Sequence, residues 1–305
     1  MYFPYLRGRQ FELIALREFA IEREDNNNVF PIIEPVKKTF NSFKLAIPKF
    51  IEGTIPFAII LNPQVGDLVG HEGIYEELED ELEDCSWTPA FIVKDNLKEI
   101  KAVIKKYQFD DVMLICSKIV DTSSDKFLDL ATGNNVEYIV TEENKSLKRK
   151  LKGSGKNLVL LSDCFIPKKR NSDYLNALAE KFTEENIFFD DDGYFGFSDY
   201  TTVSSEFNEG GTTPYAVSIH LTYQKKNEEI WIRHFTSISN DDQANIQGKF
   251  AEAAKKAVQF LNKKDIQTYA ANELRKYYND IKYPGLGMVK KISIKHHLEL
   301  VNDIL

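Results

Sequence analysis

Apolar runs and amphipathic stretches alternate along the first two-thirds of the chain. Residues 29–34, VFPIIE, form a short apolar run that ends in the carboxylate of Glu34, and a helical pattern follows over residues 39–52. Residues 55–61 are apolar throughout, as in a strand that is buried on both faces. The other runs with a strand pattern are residues 2–6, 87–93, 111–116, 136–140, 157–162 and a run that opens at 195–197.

These runs predict eight strands joined by helical segments. Connections of that length force parallel crossovers. Eight parallel strands close a barrel whose interior is filled by side chains. The predicted fold class is therefore α/β, a TIM-like (β/α)8 barrel. One of the connecting segments, residues 171–186, has the spacing of an amphipathic helix.

The pattern changes after the eighth strand. Residues 215–223 and 230–235 alternate apolar and polar positions with a period of two and flank a polar turn, which predicts an antiparallel hairpin. Helical patterns then cover residues 241–261, 265–280 and 289–304. We predict a barrel over residues 1–264, with the hairpin inserted at 214–236, and a C-terminal helical extension over 265–305.

Composition and charge narrow the class of protein. The chain has 305 residues, 43% hydrophobic content and a formal net charge of −8. A globally acidic chain is a poor candidate for a sequence-independent nucleic-acid binder, which needs a basic face, although its net charge leaves room for a local basic patch. No apolar run approaches the roughly 18 residues of a membrane span, and the first residues lack the apolar core of a signal peptide. With three widely spaced cysteines and no CxxC pair, we expect a cytoplasmic protein with reduced thiols and no membrane partner.

Charged and polar side chains follow the ends of the predicted strands. In a parallel barrel these ends converge on one mouth, where barrel enzymes keep their chemistry. Carboxylates and cations that share a mouth shift one another's pKa values and can act as acid, base or anion holder. The candidate catalytic residues are Glu34, Lys94, Asp163 and Asp199, and the candidate ligand-binding residues are Arg7, Arg9, Lys37, Asn62, Lys118, Glu142 and Tyr200.

Two interpretations of this predicted mouth stay open. Glu34, Asp163 and Asp199 come from different strands and could share a hard divalent cation such as Mg²⁺ through oxygen ligands. The cations after the first and fourth strands could hold a phosphate or a carboxylate. Alternatively, opposite charges at an exposed mouth pair with one another and have no catalytic role.

The histidines do not follow this strand-end pattern. None of the five lies at a strand end, and no HxH or HExxH spacing occurs, which argues against a zinc site. His220 and His234 lie in the middle of the two hairpin strands, so we expect them to face each other as a surface pair. His296 and His297 are expected to be solvated.

Two stretches resemble a known family. The opening YFPYLRGRQFELIAL, followed by VFPIIEPVK, is similar to the start of the uncharacterised bacterial and phage "beta protein" family. GYFGFSDYTTV and the hairpin strands YAVSIHLTY and IWIRHF are similar to its late strand and hairpin. The resemblance spans residues 1 to 235 and excludes the tail. It implies a defence or mobile-element setting with a partner protein, and it directs attention to Arg7, Arg9, Gln10, Glu12, Glu34, Asp199 and Tyr200.

Two functional hypotheses follow. The first is a barrel-scaffold binding or interaction protein that acts with a partner protein, in phage defence or a mobile-element system. It is favoured by the lack of a catalytic motif, by the acidic stretch ELEDELED at residues 77–84, and by a basic tail with eleven Lys/Arg against six Asp/Glu after residue 248. The alternative is a divalent-metal hydrolase, phosphodiesterase-like, that acts on a phosphate ester or nucleotide at the mouth.

Overall fold

The computed structural model of the protein describes residues 1–23, 27–83, 85–116, 120–210 and 213–305. The strands are β1 Tyr5–Leu6, β2 Ile32–Ile33, β3 Phe57–Ile60, β4 Trp87–Val93, β5 Val112–Cys116, β6 Val136–Thr141, β7 Asn157–Leu161, β8 Ala179–Thr183, β9 Gly196–Ser198, β10 Ser218–Gln224 and β11 Ile230–Thr236. The α-helices are α1 Gln10–Glu22, α2 Asn41–Glu52, α3 Ile74–Leu82, α4 Leu97–Tyr107, α5 Asp125–Ala131, α6 Lys145–Leu151, α7 Glu185–Phe188, α8 Ile246–Lys264, α9 Tyr269–Asn279 and α10 Leu286–Ile304.

The chain divides into two compact units, each built from separate segments. The first unit contains Met1–Arg9, Asn28–Ser162 and Phe188–Asp199. The second unit contains Gln10–Asn27, Asp163–Ile187 and Tyr200–Leu305.

The first unit contains an eight-stranded parallel barrel. The strands follow the order β1 to β7 and then β9, and every neighbouring pair is parallel. Tyr2 forms parallel bridges with both Val29 and Phe197, and the amide of Phe3 donates to the carbonyl of Phe197 at 2.8 Å. These bonds join the first strand to the last. The predicted (β/α)8 barrel is therefore confirmed.

The barrel strands form where the sequence is apolar at consecutive positions. All four residues of β3 are buried, because this strand has the barrel interior on one face and helices on the other. The covering helices are amphipathic: α4 buries Ile100 and Ile104 and exposes its lysines. Ser124 caps α5, since its Oγ accepts a hydrogen bond from the amide of Phe127 at 3.3 Å.

The second unit is built on a three-stranded antiparallel sheet with the order β10, β11, β8. The pairing of β10 with β11 confirms the predicted hairpin, and His220 lies opposite His234 in its register. The amphipathic helix expected over residues 171–186 is wrong. A short 3-10 helix covers Asn171–Asn176, and Ala179–Thr183 then forms the strand β8. The open edge of β11 supplies backbone partners that outweigh the local helical spacing.

Helices α8, α9 and α10 pack with the hairpin around an apolar core. Ile219, Leu221, Ala254, Leu274 and Ile292 belong to this core and are fully buried. The final helix also packs along α1 through charged pairs, in which the Nζ of Lys290 lies 2.9 Å from Glu12 and that of Lys291 lies 2.8 Å from Glu18. Much of the basic tail is thus neutralised inside its own unit.

His296 and His297 are buried, so the expectation that they are solvated is wrong. Both are 0% exposed, on a helix that is covered on several sides. Nδ1 of His296 is hydrogen-bonded to Thr268 at 2.7 Å, and Nδ1 of His297 to Thr222 at 3.0 Å.

No helix in the described ranges is long and apolar enough to cross a membrane.

Gly287 allows α10 to lie against α1. A Cβ at this position would overlap the ring of Phe11. We therefore expect Gly287→Ala to lower the free energy of unfolding by about 1–3 kcal/mol through overpacking, although alanine favours a helix interior by about 1 kcal/mol over glycine. Urea denaturation measures whether the free energy of unfolding falls or rises. Phe11→Leu in the Gly287→Ala background should recover part of the loss, whereas a stabilising Gly287→Ala would contradict the close packing.

Candidate functional site

The barrel mouth is centred on Glu34 and Arg7, which the register of the first two strands brings together. Tyr5 pairs with Ile32 and Leu6 with Ile33, so the next positions along β1 and β2 are neighbours. The amide of Glu34 donates to the carbonyl of Leu6 at 2.8 Å, which extends the pairing to the strand end. The side chain of Glu34 is 0% exposed and that of Arg7 is 14% exposed.

The turn after β1 depends on Gly8. Its φ of 58° is left-handed, a conformation that is strained for most other residues. A Cβ there would lie 2.7 Å from the ring of Phe43 and 3.0 Å from the carbonyl oxygen of Glu34. Glycine thus lets the chain turn directly beside the backbone of Glu34.

Both oxygens of Glu34 are engaged by protein donors. Oε2 forms an ion pair with Nη1 of Arg7 and accepts a hydrogen bond from the Tyr5 hydroxyl at 2.7 Å. Oε1 accepts a hydrogen bond from the backbone amide of Gln64 at 2.7 Å. The guanidinium of Arg7 also lies 5.0 Å from the centroid of the Tyr5 ring. Glu34 therefore connects the ends of β1, β2 and β3.

Asp199 is held in a similar way at the end of β9. It is 1% exposed, and Oδ1 accepts a hydrogen bond from the Tyr2 hydroxyl at 2.6 Å. Its carbonyl accepts from the amide of Tyr5 at 2.8 Å. Asp199 therefore fastens the last barrel strand to the first. Tyr2, Tyr5 and Gln64 were not among the predicted site residues, because tyrosines in an apolar strand and a backbone amide carry no sequence signal of this role.

The other predicted residues of the first unit do not join this group. Asn62 holds the end of β3 to β4, since its side-chain amide donates to the carbonyl of Ile92 and accepts from its amide, both at 2.8 Å. Lys37 forms an exposed pair with Asp67 at 3.5 Å. Lys94 is exposed, and Arg9 and Glu142 are partly exposed.

Asp163 and Tyr200 belong to the second unit. Asp163 is exposed and accepts a hydrogen bond from Ser205, and Tyr200 is partly exposed. Lys118 lies outside the described residues. Among the residues that the structure describes, no group of three or more His, Cys, Asp and Glu side chains could hold a metal ion. The described side chains therefore give the shared-cation interpretation no support.

Cys116 does not offer an activated thiol in the barrel. Cys116 is buried at the end of β5, and this burial raises the pKa of its thiol to about 12. Cys85 and Cys164 are free and partly exposed, so only one of the three thiols is buried.

A groove of about 460 Å³ lies in the first unit beside the ends of β3 and β4. Its walls are the segment 61–64 and the facing sides of α3 and α4. The lining includes the rings of Tyr75, Phe91 and Tyr107, the amides of Asn62, Gln64 and Asn96, and the exposed carboxylates of Glu72 and Glu99.

The sequence contained a signal for this groove in α4. Ile100 and Ile104 are buried in the core, but Val103 and Tyr107 lie beside them and stay partly exposed. The apolar stripe of α4 is thus wider than core packing requires. Tyr75 and Tyr107 meet edge to face at 4.9 Å between ring centroids, and the Tyr107 hydroxyl is hydrogen-bonded to Glu76.

The second unit contains a histidine pair that is not on the surface. His220 and His234 face each other as predicted, with Nδ1 of one 2.7 Å from Nδ1 of the other. His234 is 3% exposed, however, so the expected surface pair is wrong. Burial lowers the pKa of His220 to about 3 and that of His234 to about 4, so both imidazoles are neutral at pH 7.

Comparisons of the chain with family models, curated proteins and solved structures found no match. The resemblance to the beta protein family therefore stays a prediction, and function is argued from the residues themselves.

Proposed function

We propose that the protein is a barrel-scaffold binding protein that acts with a partner protein, which it engages through the groove between α3 and α4. The observation that carries this proposal is the contrast between the two parts of the first unit. At the mouth, the buried carboxylates of Glu34 and Asp199 are used by the protein's own donors. In the groove, the rings of Tyr75 and Tyr107 stay partly exposed and can contact a partner.

The lining of the groove suits binding. Apolar walls with a few placed polar groups are typical of recognition sites, and partly exposed tyrosines supply a large contact area at low entropic cost. Tyr75 and Tyr107 form such a wall, with the side-chain amides of Gln64 and Asn96 at one end.

Charge favours a basic segment as the occupant. Glu72 and Glu99 are exposed at the lining of the groove. The outer face of α3 adds the exposed carboxylates of Glu77, Asp80 and Glu83. We infer a partner segment that packs an apolar side chain against the wall formed by Tyr75 and Tyr107 and places Lys or Arg residues beside these acids.

A pair of matched variants tests this assignment. Ala102 is exposed and lines the groove, whereas Lys98 is exposed on the same helix and does not. Ala102→Trp fills the groove without touching the core. We expect it to weaken partner binding by more than about tenfold, because an anchoring side chain is excluded. Lys98→Trp should bind normally.

The measurement begins with tagged protein expressed in its own cell and a mass-spectrometric inventory of bound proteins and small molecules. The partner identified in this way is then titrated against the wild type and both variants by calorimetry. Equal binding by both variants would contradict the groove assignment. A bound phosphorylated metabolite or metal in place of a protein would favour the hydrolase alternative, which no described contact supports at present.

The cellular setting is part of the proposal only through the resemblance of two stretches within residues 1–235 to the beta protein family. That resemblance implies phage defence or a mobile-element system with a neighbouring partner gene. The partner inventory tests this setting directly, because the partner's own gene would lie beside the gene of this protein.

A further inference from the structure

A line of polar contacts crosses the antiparallel sheet of the second unit. Nζ of Lys168 lies 2.8 Å from Oε1 of Glu180 on β8. Oε2 of Glu180 lies 3.6 Å from Nε2 of His234 on β11. Nδ1 of His234 lies 2.7 Å from Nδ1 of His220 on β10. Each strand of the sheet contributes one member.

This arrangement assigns the protons on both imidazoles. Nε2 of His234 lies 3.6 Å from a carboxylate oxygen, which is longer than a hydrogen bond, and the negative charge favours the tautomer of the neutral ring that places the hydrogen on this nitrogen. Nδ1 of His234 is then the acceptor, and Nδ1 of His220 must be the donor of the bond between them. The remaining nitrogen, Nε2 of His220, is left with a lone pair.

His220 lines a cavity of about 340 Å³ within the second unit. Nδ1 is the ring nitrogen of His220 that is hydrogen-bonded among the described residues, so Nε2 is the nitrogen available to the cavity. The ring is held firmly, because Tyr174 lies 4.7 Å and Phe165 5.3 Å from it between centroids.

Thr202 provides a second, independent polar group. It is 4% exposed and lines the same cavity, and its hydroxyl has no hydrogen-bond partner in the described part of the chain. A buried hydroxyl without a partner costs free energy, and a bound molecule would satisfy it. The apolar parts of the lining include Phe165, Val203 and Val289.

The cavity offers no unbalanced charge. Lys290 borders it, but its ammonium lies 2.9 Å from the carboxylate of Glu12. His220 and His234 are neutral at pH 7, since burial lowers the pKa of both. An uncharged occupant fits these surroundings better than an ion.

We propose that this cavity binds a small uncharged molecule that carries a hydroxyl group, which donates to Nε2 of His220 and accepts from the hydroxyl of Thr202. A hydroxyl is suited to this because one oxygen both donates and accepts. The apolar walls contact the carbon skeleton. His234 and Glu180 are positioning residues. They keep the hydrogen of the His220 ring on Nδ1, so that Nε2 of His220 has a free lone pair.

Nitrogen NMR on histidine-labelled protein tests the proton assignment. We expect a pyridine-type Nε2 and a pyrrole-type Nδ1 for His220. Glu180→Gln should redistribute the two tautomers while the fold is retained. A pyrrole-type Nε2 on His220 in the wild-type protein would overturn the proposal, because that nitrogen could not accept a hydrogen bond.

Titration with glycerol, as the smallest probe of this class, and with myo-inositol and uridine tests binding. We expect the chemical shift of Nε2 of His220 to change as the probe is added and to level off when the cavity is saturated. Thr202→Val should weaken the affinity about five- to tenfold, the value of one net hydrogen bond, and should fold normally because it removes a hydroxyl that has no partner. By calorimetry, which does not depend on the histidine signal, His220→Phe should show no binding, and His71→Phe, at an exposed position, should bind like the wild type. The proposal fails if all three probes leave Nε2 of His220 unmoved, or if Thr202→Val binds like the wild type.

Discussion

We expect Arg7→Met to lower the free energy of unfolding of the barrel by about 3–5 kcal/mol. The reason is the environment of Glu34, which is 0% exposed and depends on Arg7 for its compensating charge. After the substitution the carboxylate keeps only its bonds from the Tyr5 hydroxyl and the Gln64 amide, both at 2.7 Å, among those described above. A buried charge that loses its counter-ion costs more than the pair contributed in the first place.

Urea denaturation in a Trp231→Phe background measures this effect, because Trp87 then reports on the barrel alone. Lys37→Met is the matched control. Lys37 is also a cation paired with a carboxylate, but its side chain is 52% exposed and its partner Asp67, in the loop after β3, is 36% exposed. We expect a change below about 1 kcal/mol there. Equal losses of unfolding free energy in the two variants would contradict the prediction, because they would show that burial of the ion pair does not determine the loss.

Lowering the pH from 6.5 to 4.5 destabilises the second unit steeply. Burial lowers the folded-state pKa of His220 to about 3 and of His234 and His296 to about 4, from an ordinary value of 6.5. Between pH 6.5 and 4.5 these three histidines become protonated in the unfolded chain but stay neutral in the folded chain. Stability from these groups is complete above pH 6.5 and is lost as the pH falls toward their folded-state pKa values.

Glu299 opposes this trend. Its burial raises its pKa to about 7, so in the same window the folded state binds one proton that the unfolded state does not. Three histidines against one carboxyl leave a net uptake of two protons on unfolding. At 1.36 kcal/mol per proton and pH unit, the free energy of unfolding falls by at most about 3 kcal/mol per pH unit.

Urea titrations at pH 7, 6 and 5 in a Trp87→Phe background follow this loss through Trp231. His296→Asn should reduce the slope by about 1.4 kcal/mol per pH unit, and Glu299→Gln should steepen it by a similar amount. His71→Asn, at an exposed histidine, should leave the slope unchanged. A stability that is flat or rises on acidification would contradict the burial of these imidazoles.

The barrel could be predicted because each of its strands is apolar at consecutive positions. Residues 55–61 and 87–93 are apolar runs of strand length, as expected of buried strands. The order of such strands along the chain is also their order around the barrel. The proximity of Arg7 to Glu34 could also be predicted, because each residue directly follows the end of one of two paired strands. Their mutual neutralisation matches the interpretation that opposite charges pair at the mouth.

The second unit was harder to predict because its structure depends on non-local partners. β8 forms at the edge of β11, and nothing within residues 171–186 indicates that edge. The burial of Lys291, Lys295, His296 and His297 has the same origin. Polar residues on a helix predict a solvated face, unless another element brings matching carboxylates and hydroxyls, as α1 and β10 do here.

The pairing of α1 with α10 has a consequence for protein synthesis. Glu12 and Lys290 are separated by 278 positions along the chain. At translation rates of about 5–20 residues per second, α1 leaves the ribosome roughly 14–56 s before its partner helix exists. During that interval the apolar residues of α1, such as Leu13, Leu16 and Phe19, lack the α10 surface against which α1 packs in the folded unit. Such an exposed apolar segment is a natural client for a chaperone until α10 captures it.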